Sequence, residues 1–478
     1  MHAAHPGHVE TLRLSGALDS ARGRHAEALS TLQRAAALKP DDALILNTLG
    51  AAQAASGDEA GARGSFVRAC ELDPHAAGAQ HNLGNLLVAR GELEAARTAF
   101  ARAIEIEPGF VPARLALAGA LRALDREDEA ATQLRETLAH DPHSSAAWES
   151  LAEIRPAEFT AAERTALQNE FQRPRRSDTE RAALGFALGN VLDGRAQYPE
   201  AFASFVSANA LRRRDIDWDS ARHSRRCERV LDAFPAEQTV ASASTLGAGC
   251  IFVLGMPDTA AAIIARALRA HPAVAIAPDP SRIIAAESAA RGQRFLQWAA
   301  QATTAGWLRL GRAYLDRFPS DPLRPHRVLD ASSLQVEFAG AVAMMLPAAR
   351  FVTVRGDALE SCWTCFRSDF RGGQRYSYDF ADLAAFWHDL ERLLQRWRER
   401  HADRIHDVDV GSLTTQPDAE IARLFERCGL DADASTLRAI DISHIRRHAD
   451  ARAYGELLKP LSAMLDGGFS DSKPGLVA

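Results

Sequence analysis

The residues best able to do chemistry stand at the ends of two apolar runs. CIFVL (250–254) leads into Gly255, Met256, Pro257, Asp258 and Thr259, and RFVTV (350–354) leads into Arg355, Gly356 and Asp357. A helix that begins just after such a strand points free N–H groups and a positive dipole end at anions. Arginine adds a planar cation suited to phosphate-like oxygens. Asp258 and Thr259 also fit an ordinary helix N-cap, which stabilises a helix by about 1 kcal/mol with no ligand. Cys362 and Cys365 form one C-x-x-C, a pattern used in redox and metal chemistry. No second cysteine pair or histidine stands at a metal-site spacing beside it, so no metal is expected.

The elements that position these residues follow from the pattern around them. Unbroken apolar strands (CIFVL, RVLDA, ARFVTV) alternate with helical stretches such as TAAAIIARALRAHP and ALESCWTCFRSDF. That alternation predicts a parallel sheet covered by helices on both faces. Ligands of such sheets sit beyond the carboxyl ends of the strands, where Gly255–Thr259 and Arg355–Asp357 would lie. Further helices are expected near 380–400, 415–428 and 455–466. Phe386, Trp387 and Trp397 on the first of these read as core.

Upstream the signal is periodic. Pro40, Pro74, Pro108 and Pro142 follow one another at intervals of 34 residues, as do Gly16, Gly50, Gly84 and Ala118. Gly23, Gly57, Gly91 and Asp125 keep the same step, and so do Leu32, Phe66, Phe100 and Leu134. Small residues twelve apart let two helices approach, an aromatic fills the space behind them, glycine turns the chain and proline stops the second helix. A 34-residue period of these types is the tetratricopeptide (TPR) signature. An out-of-phase copy follows, with Gly189, Ala201, Phe205 and Ala208 repeating the steps of Gly50, Ala62, Phe66 and Ala69. The expected organisation is a repeat array over 1–155, a helical extension with a fifth hairpin over 156–245, and the α/β domain over 246–478.

Stacked repeats present a groove that takes extended peptides. Asn47, Asn82 and Asn85 lie on the first helices of their repeats and could hold a peptide backbone. A net charge of −6 over 478 residues gives no reason to expect a nucleic-acid partner. The chain has no run of eighteen apolar residues and opens on MHAAHPGHVE, without an apolar leader core. Six cysteines make no disulfide framework, so a cytoplasmic protein is expected. Abundant alanine and arginine with scarce lysine match high-GC bacterial coding sequence.

At the strand–loop–helix segments the chain resembles a known family. IFVLGMPDTAAAIIARALRAHPAV, RVLDASSLQVEFAGAVAMMLPAARFVTVRGDALESCWTCF and IHDVDVGSLTTQPDAEIARLFERCGL resemble successive parts of the sulfotransferase P-loop-like domain. With the repeats upstream, the whole resembles the bacterial TPR–sulfotransferase group. The resemblance implies sulfuryl transfer from PAPS to a protein or carbohydrate hydroxyl. A loop would cradle the 5′-phosphosulfate, an arginine and a serine eight residues apart would hold the 3′-phosphate, and an acid would act as base. By that resemblance Gly255, Pro257, Thr259, Arg355 and Thr364 are the cofactor-binding candidates, and Asp279 is the catalytic one.

The family's residues are largely replaced. Where the loop runs Pro-Arg-Ser-Gly-Thr-Thr, this chain has Pro257-Asp258-Thr259-Ala260-Ala261-Ala262. The lysine of Asp-Lys-Met-Pro is Ala331. Gly356, not arginine, stands eight residues before Thr364, with Arg355 one place early. The family's C-terminal arginine loop is matched only loosely by Arg446 and Arg447. Each hydrogen bond to a charged group contributes about 1.5–3 kcal/mol. Asp258 adds repulsion of about 3 kcal/mol per phosphate charge at ~5 Å and an effective dielectric of about 20. The expectation is therefore a partner-binding or regulatory pseudoenzyme, with an active homologue as one candidate partner. An active PAPS-dependent transferase is the alternative. A P-loop kinase is excluded, since no G-x-x-x-x-G-K-[ST] occurs.

Overall fold

The computed structural model describes residues 8–234, 244–257, 259–276, 280–317, 327–330, 335–371, 373–431 and 451–467. The chain divides into two compact units, Met1–Arg176 and Ser177–Ala478. That boundary falls inside the segment read as a helical extension, so its first helix goes with the repeats and its hairpin with the sheet.

In the first unit eight helices make four hairpins: α1 (Val9–Ala21) and α2 (His25–Leu38), α3 (Ala43–Ser56) and α4 (Glu59–Leu72), α5 (Ala77–Ala89) and α6 (Leu93–Ile106), α7 (Val111–Ala123) and α8 (Glu127–His140). Pro40, Pro74, Pro108 and Pro142 are each the second residue beyond a helix end. Gly57 turns the chain at φ +89°, which glycine adopts without side-chain strain, and Asp125 takes the same place at +58°. Gly84 shows why a repeat with phenylalanine behind this step has a hydrogen there, whereas the fourth repeat pairs Ala118 with Leu134. A Cβ on Gly84 would lie 2.4 Å from a ring carbon of Phe100, inside any allowed contact. α9 (Ser145–Ile154) and α10 (Ala161–Gln172) close the unit, α10 through a Thr160–Glu163 capping box.

The second unit opens on α11 (Asp178–Asp193) and α12 (Tyr198–Arg213), the fifth hairpin. Gly189 approaches Phe205 as Gly84 approaches Phe100, again 2.4 Å from a hypothetical Cβ. α13 (Ser220–Ala233) leads to β1 (Cys250–Leu254), α14 (Thr259–Arg269), β2 (Val274–Ile276), α15 (Ser281–Arg291), α16 (Phe295–Ala299), α17 (Thr304–Leu315) and β3 (Arg327–Asp330). Then come α18 (Gln335–Met345), β4 (Arg350–Arg355), α19 (Ala358–Phe366), α20 (Phe380–Arg400), β5 (Ile405–Asp409), α21 (Val410–Thr415), α22 (Pro417–Cys428) and α23 (Lys459–Asp466). Residues 451–458, expected in part as the start of the last helix, instead form a 3-10 turn with Gly455 at φ +48°.

The sheet is parallel throughout, in the order β2-β3-β1-β4-β5. β1 and β4 are neighbours, with Leu254 opposite Thr353. The chain fills β3 and β2 on one side of β1 and β4 and β5 on the other, so the topological switch point lies between β1 and β4. Both faces are buried. Ile251, Val253 and Val352 pack with Ile264 of α14 and Phe425 of α22 on one side. Phe252, Leu254 and Phe351 pack with α18, α19 and α20 on the other.

Candidate functional site

The strand order puts Gly255 and Arg355 on either side of the switch point. Gly255 follows β1, and a Cβ on it would lie 3.6 Å from Val354 of β4. Met256 and Pro257 complete the described part of the loop, and Thr259 is the first residue of α14. Arg355 ends β4 and pairs in register with Asp409, the last residue of β5. By strand alternation it shares a face with Phe351 and Thr353, the face that α19 covers. Its side chain is exposed and makes no ion pair or hydrogen bond among the described residues. Thr364 lies half-buried on α19. Asp258, Asp279, Ala331, Arg446 and Arg447 lie outside the described residues.

The charge at these strand ends is set by carboxylates that cap helices. Asp357 Oδ1 accepts from the Glu360 N–H at 2.9 Å, and Asp409 Oδ1 accepts from the Ser412 N–H at 2.7 Å. The N-termini of α19 and α21, natural receivers of an external anion, are thus already occupied by the chain's own negative charge. α14 begins Thr259-Ala260-Ala261-Ala262, and Ala260 is buried. At Gly356 the backbone is tight: a Cβ would come 3.2 Å from Ser361 Oγ and 3.4 Å from Val410 Cγ2. A side chain there needs Ser361 Oγ to give by a few tenths of an ångström, while Val410 stays in ordinary contact.

α19, which carries Thr364, is held by the fifth hairpin. Asn209 Nδ2 donates to the Phe366 carbonyl at 2.8 Å. Arg212 grips the buried Asp369 carboxylate with Nε at 3.0 and 3.1 Å and with a second guanidinium nitrogen. Trp363 packs edge-on against Phe205 at 5.7 Å and lies 4.4 Å from the Tyr454 ring. The Tyr454 hydroxyl donates to Asp193 Oδ1 at 2.5 Å, and burial with that contact holds its pKa well above the usual phenol range. Cys362 and Cys365 are buried thiols in this packing.

Two features escaped the sequence. A cavity of about 540 Å³ is lined by Arg222, Arg225, Arg226, Arg229, Arg294 and Arg375. The first four recur on α13 at helical spacing, a pattern legible in SARHSRRCERV. The second feature, on the inner side of α13, is a buried trio of His223, Cys227 and Asp389. Its third member lies on a different helix, so no local motif shows it. In the first unit, Asn47 and Asn82 meet, with Asn82 Nδ2 donating to Asn47 Oδ1 at 2.9 Å. Asn85 instead bonds His81 of its own helix at 3.0 Å.

Known proteins match along the same division. Residues 250–434 match the model of the sulfotransferase family, and residues 87–154 match that of a tetratricopeptide repeat. An uncharacterized protein of Aquifex aeolicus (strain VF5) is 22% identical over 322 residues, which is 60% of this chain and 42% of that relative. The chain therefore spans less than half the length of the curated relative it matches. Among solved structures, MamA is 26% identical, with coverage of 30% of this chain and 79% of that one at a TM-score of 0.27. TTC0263, a thermophilic TPR protein of Thermus thermophilus, is 21% identical over 38% and 99% of the two chains, with a TM-score of 0.32. The periodic helices of the first half and the parallel sheet of the second thus have matched families: the chain carries a tetratricopeptide-repeat region and a sulfotransferase-family domain.

Proposed function

We propose that this protein binds a protein or peptide partner through its repeats, and that its sulfotransferase-family domain has lost the ability to use PAPS. The observation that carries the reading is at the strand ends. The helix N-termini beyond β4 and β5 are capped by Asp357 and Asp409, and the first turn of α14 offers methyls where hydroxyl donors are needed. A doubly charged phosphate entering there meets two fixed carboxylates, and the replacements at Asp258, Ala331 and Gly356 remove cations that would offset them. In a transfer reaction the same groups would have to stabilise the charge that develops on the sulfuryl oxygens. The domain's retained role is then packing and recognition. The adjoining Asn47 and Asn82 amides support a peptide-binding role for the repeat groove.

One second reading has specific support. Arg355 has no partner among the described residues at the switch point, and a cavity of unusual arginine density lies in the same unit. Both favour a transferase in which substituted cations hold the donor. Incubation of the purified chain with radioactive PAPS and a panel of protein and carbohydrate acceptors separates the readings. No labelled product is expected. Label transferred to any acceptor, and lost on Arg355→Ala, would establish the second reading instead.

A further inference from the structure

Beneath the arginine-rich surface of α13 lies a buried cluster of soft and hard donor atoms. His223 Nε2 is 3.4 Å from Cys227 Sγ and 3.8 Å from Asp389 Oδ2. One atom from each of the three residues falls within 4.8 Å of the other two. His223 and Cys227 are one helical turn apart on α13, so both side chains leave the same face. Asp389 reaches them from α20. All three are buried, His223 at 8% exposure and the others at 1%.

We propose that His223, Cys227 and Asp389 bind a zinc ion, with water in the fourth position. A zinc ion with Zn–S of about 2.3 Å and Zn–N or Zn–O of about 2.0–2.1 Å separates tetrahedral ligands by roughly 3.3–3.6 Å. The two edges at His223, 3.4 and 3.8 Å, lie near that range, and the third is within 4.8 Å, so side-chain adjustment closes the site on an ion. Thiolate, imidazole and carboxylate together favour zinc over the hard cations magnesium and calcium.

The surroundings fit the same reading. His223 Nδ1 faces Glu337 Oε1 of α18 at 3.6 Å, the place of the carboxylate that orients a metal-binding imidazole. Ser224 Oγ donates to Asp389 Oδ2 at 2.7 Å and fixes the carboxylate. The imidazole also packs against two neighbouring rings, Trp218 at 5.0 Å and Phe386 at 5.2 Å. Two guanidinium groups stand nearby, but each already has an acid: Arg226 pairs with Glu337, and Arg392 pairs with Asp389. Glu337 thus offsets Arg226, Asp389 itself faces Arg392, and a Cys227 thiolate would add the further negative charge that meets the cation. His223 also lines the 540 Å³ cavity, which gives an ion a way in.

Use of the trio for a cysteine nucleophile fails on geometry and on chemistry. A cysteine nucleophile needs access, and Cys227 is 1% exposed. It also needs thiolate character, whereas burial and the charges of Asp389 and Glu337 push this thiol up. A bound cation reverses that second effect, because it favours the thiolate directly. The ion's role is to fasten α13, which precedes the sheet in the chain, to α20, which covers one of its faces.

The test is titration of the full chain, stripped with chelator, using cobalt(II) as a spectroscopic substitute for zinc. One equivalent should produce a near-ultraviolet thiolate-to-cobalt band together with visible bands of tetrahedral intensity, and one equivalent of zinc should abolish both. Cys227→Ser should remove the thiolate band, His223→Asn should weaken binding by at least ~10-fold, and Glu337→Gln should weaken it by ~10–100-fold. Far-UV circular dichroism checks that each variant is folded. The proposal is overturned if the folded wild type gives no thiolate band, or if the band survives Cys227→Ser because another cysteine is the ligand.

Discussion

The hairpins α3–α4 and α11–α12 are built from the same internal steps and do different work. Each has a glycine pressed on the phenylalanine sixteen residues on, Gly50 on Phe66 and Gly189 on Phe205. Away from that contact they diverge. At the step where α4 places Arg63, in an exposed ion pair with Glu92, α12 places Phe202, stacked 6.0 Å from Trp363. At the step of Cys70, α12 has Asn209, which is buried and bonded to the Phe366 carbonyl. A surface ion pair is worth about 0–1 kcal/mol, while breaking a buried charged contact costs about 3–5. The comparison teaches that a repeat's inner residues specify the hairpin and its outer residues decide what it serves. On α4 the step of Arg63 stays at the surface; on α12 the same step and that of Asn209 brace α19.

The largest expected effect tests that bracing. Asp369→Ala leaves Arg212 buried without its acid and should destabilise the second unit by about 3–5 kcal/mol. Arg63→Ala should change the first unit by less than about 1 kcal/mol. Six of the seven tryptophans, all except Trp148, belong to the second unit, so tryptophan emission in denaturant reports mainly on that unit. Equal losses for the two variants would break the comparison.

The next effect probes what the hairpins share. Gly84→Val and Gly189→Val each drive a side chain into a phenylalanine ring, and overpacking of this kind costs about 1–3 kcal/mol or more. Gly84→Val should leave tryptophan emission largely native while helical circular dichroism melts earlier, and Gly189→Val should move both signals. If Gly189→Val is silent in emission, the fifth hairpin does not support the sheet domain.

A smaller effect depends on pH. His401 is buried beside Arg404 and Arg400, and Arg404 Nη2 lies 2.8 Å from its Nδ1. Burial and the two cations push its pKa down to about 3, whereas an unfolded histidine titrates near about 6.5. The folded chain therefore refuses a proton that the unfolded chain accepts. The stability from neutral His401 is complete above about pH 6.5 and is lost as pH falls toward about 3, by up to about 1.4 kcal/mol per unit. Denaturant melts of His401→Gln should show a shallower loss below about pH 6 than wild type, with no difference above about pH 7. An unchanged acid slope would refute the assignment.

The two halves were not equally legible. Repeat contacts are local and recur every 34 residues, so Gly84, Phe100 and Pro108 announce eight helices without reference to anything distant. The apolar runs of β1, β3 and β4 announce buried parallel strands for a related reason. β2 did not stand out, because a strand as short as Val274–Ile276 carries no periodicity. The strand ends were legible as a place: Gly255 and Arg355 do flank the switch point. Their electrostatics were not, because the capping of α19 by Asp357 and of α21 by Asp409 depends on side-chain conformation. The His223–Cys227–Asp389 trio was hidden for a different reason, since its members meet only when α13 packs on α20.

On the reading proposed above, the strand ends no longer bind the nucleotide donor. Calorimetric titration of the wild-type chain with PAP, the desulfated donor product, tests it most directly. No saturable heat is expected up to millimolar PAP. A variant with Asp258→Arg, Thr259→Ser, Ala260→Gly and Ala261→Thr should regain detectable binding, because repulsion is removed and donors return at a helix N-terminus. A micromolar isotherm from the unmodified chain would show that the donor site survives, and would point first to Arg355 as the cation that holds the phosphate.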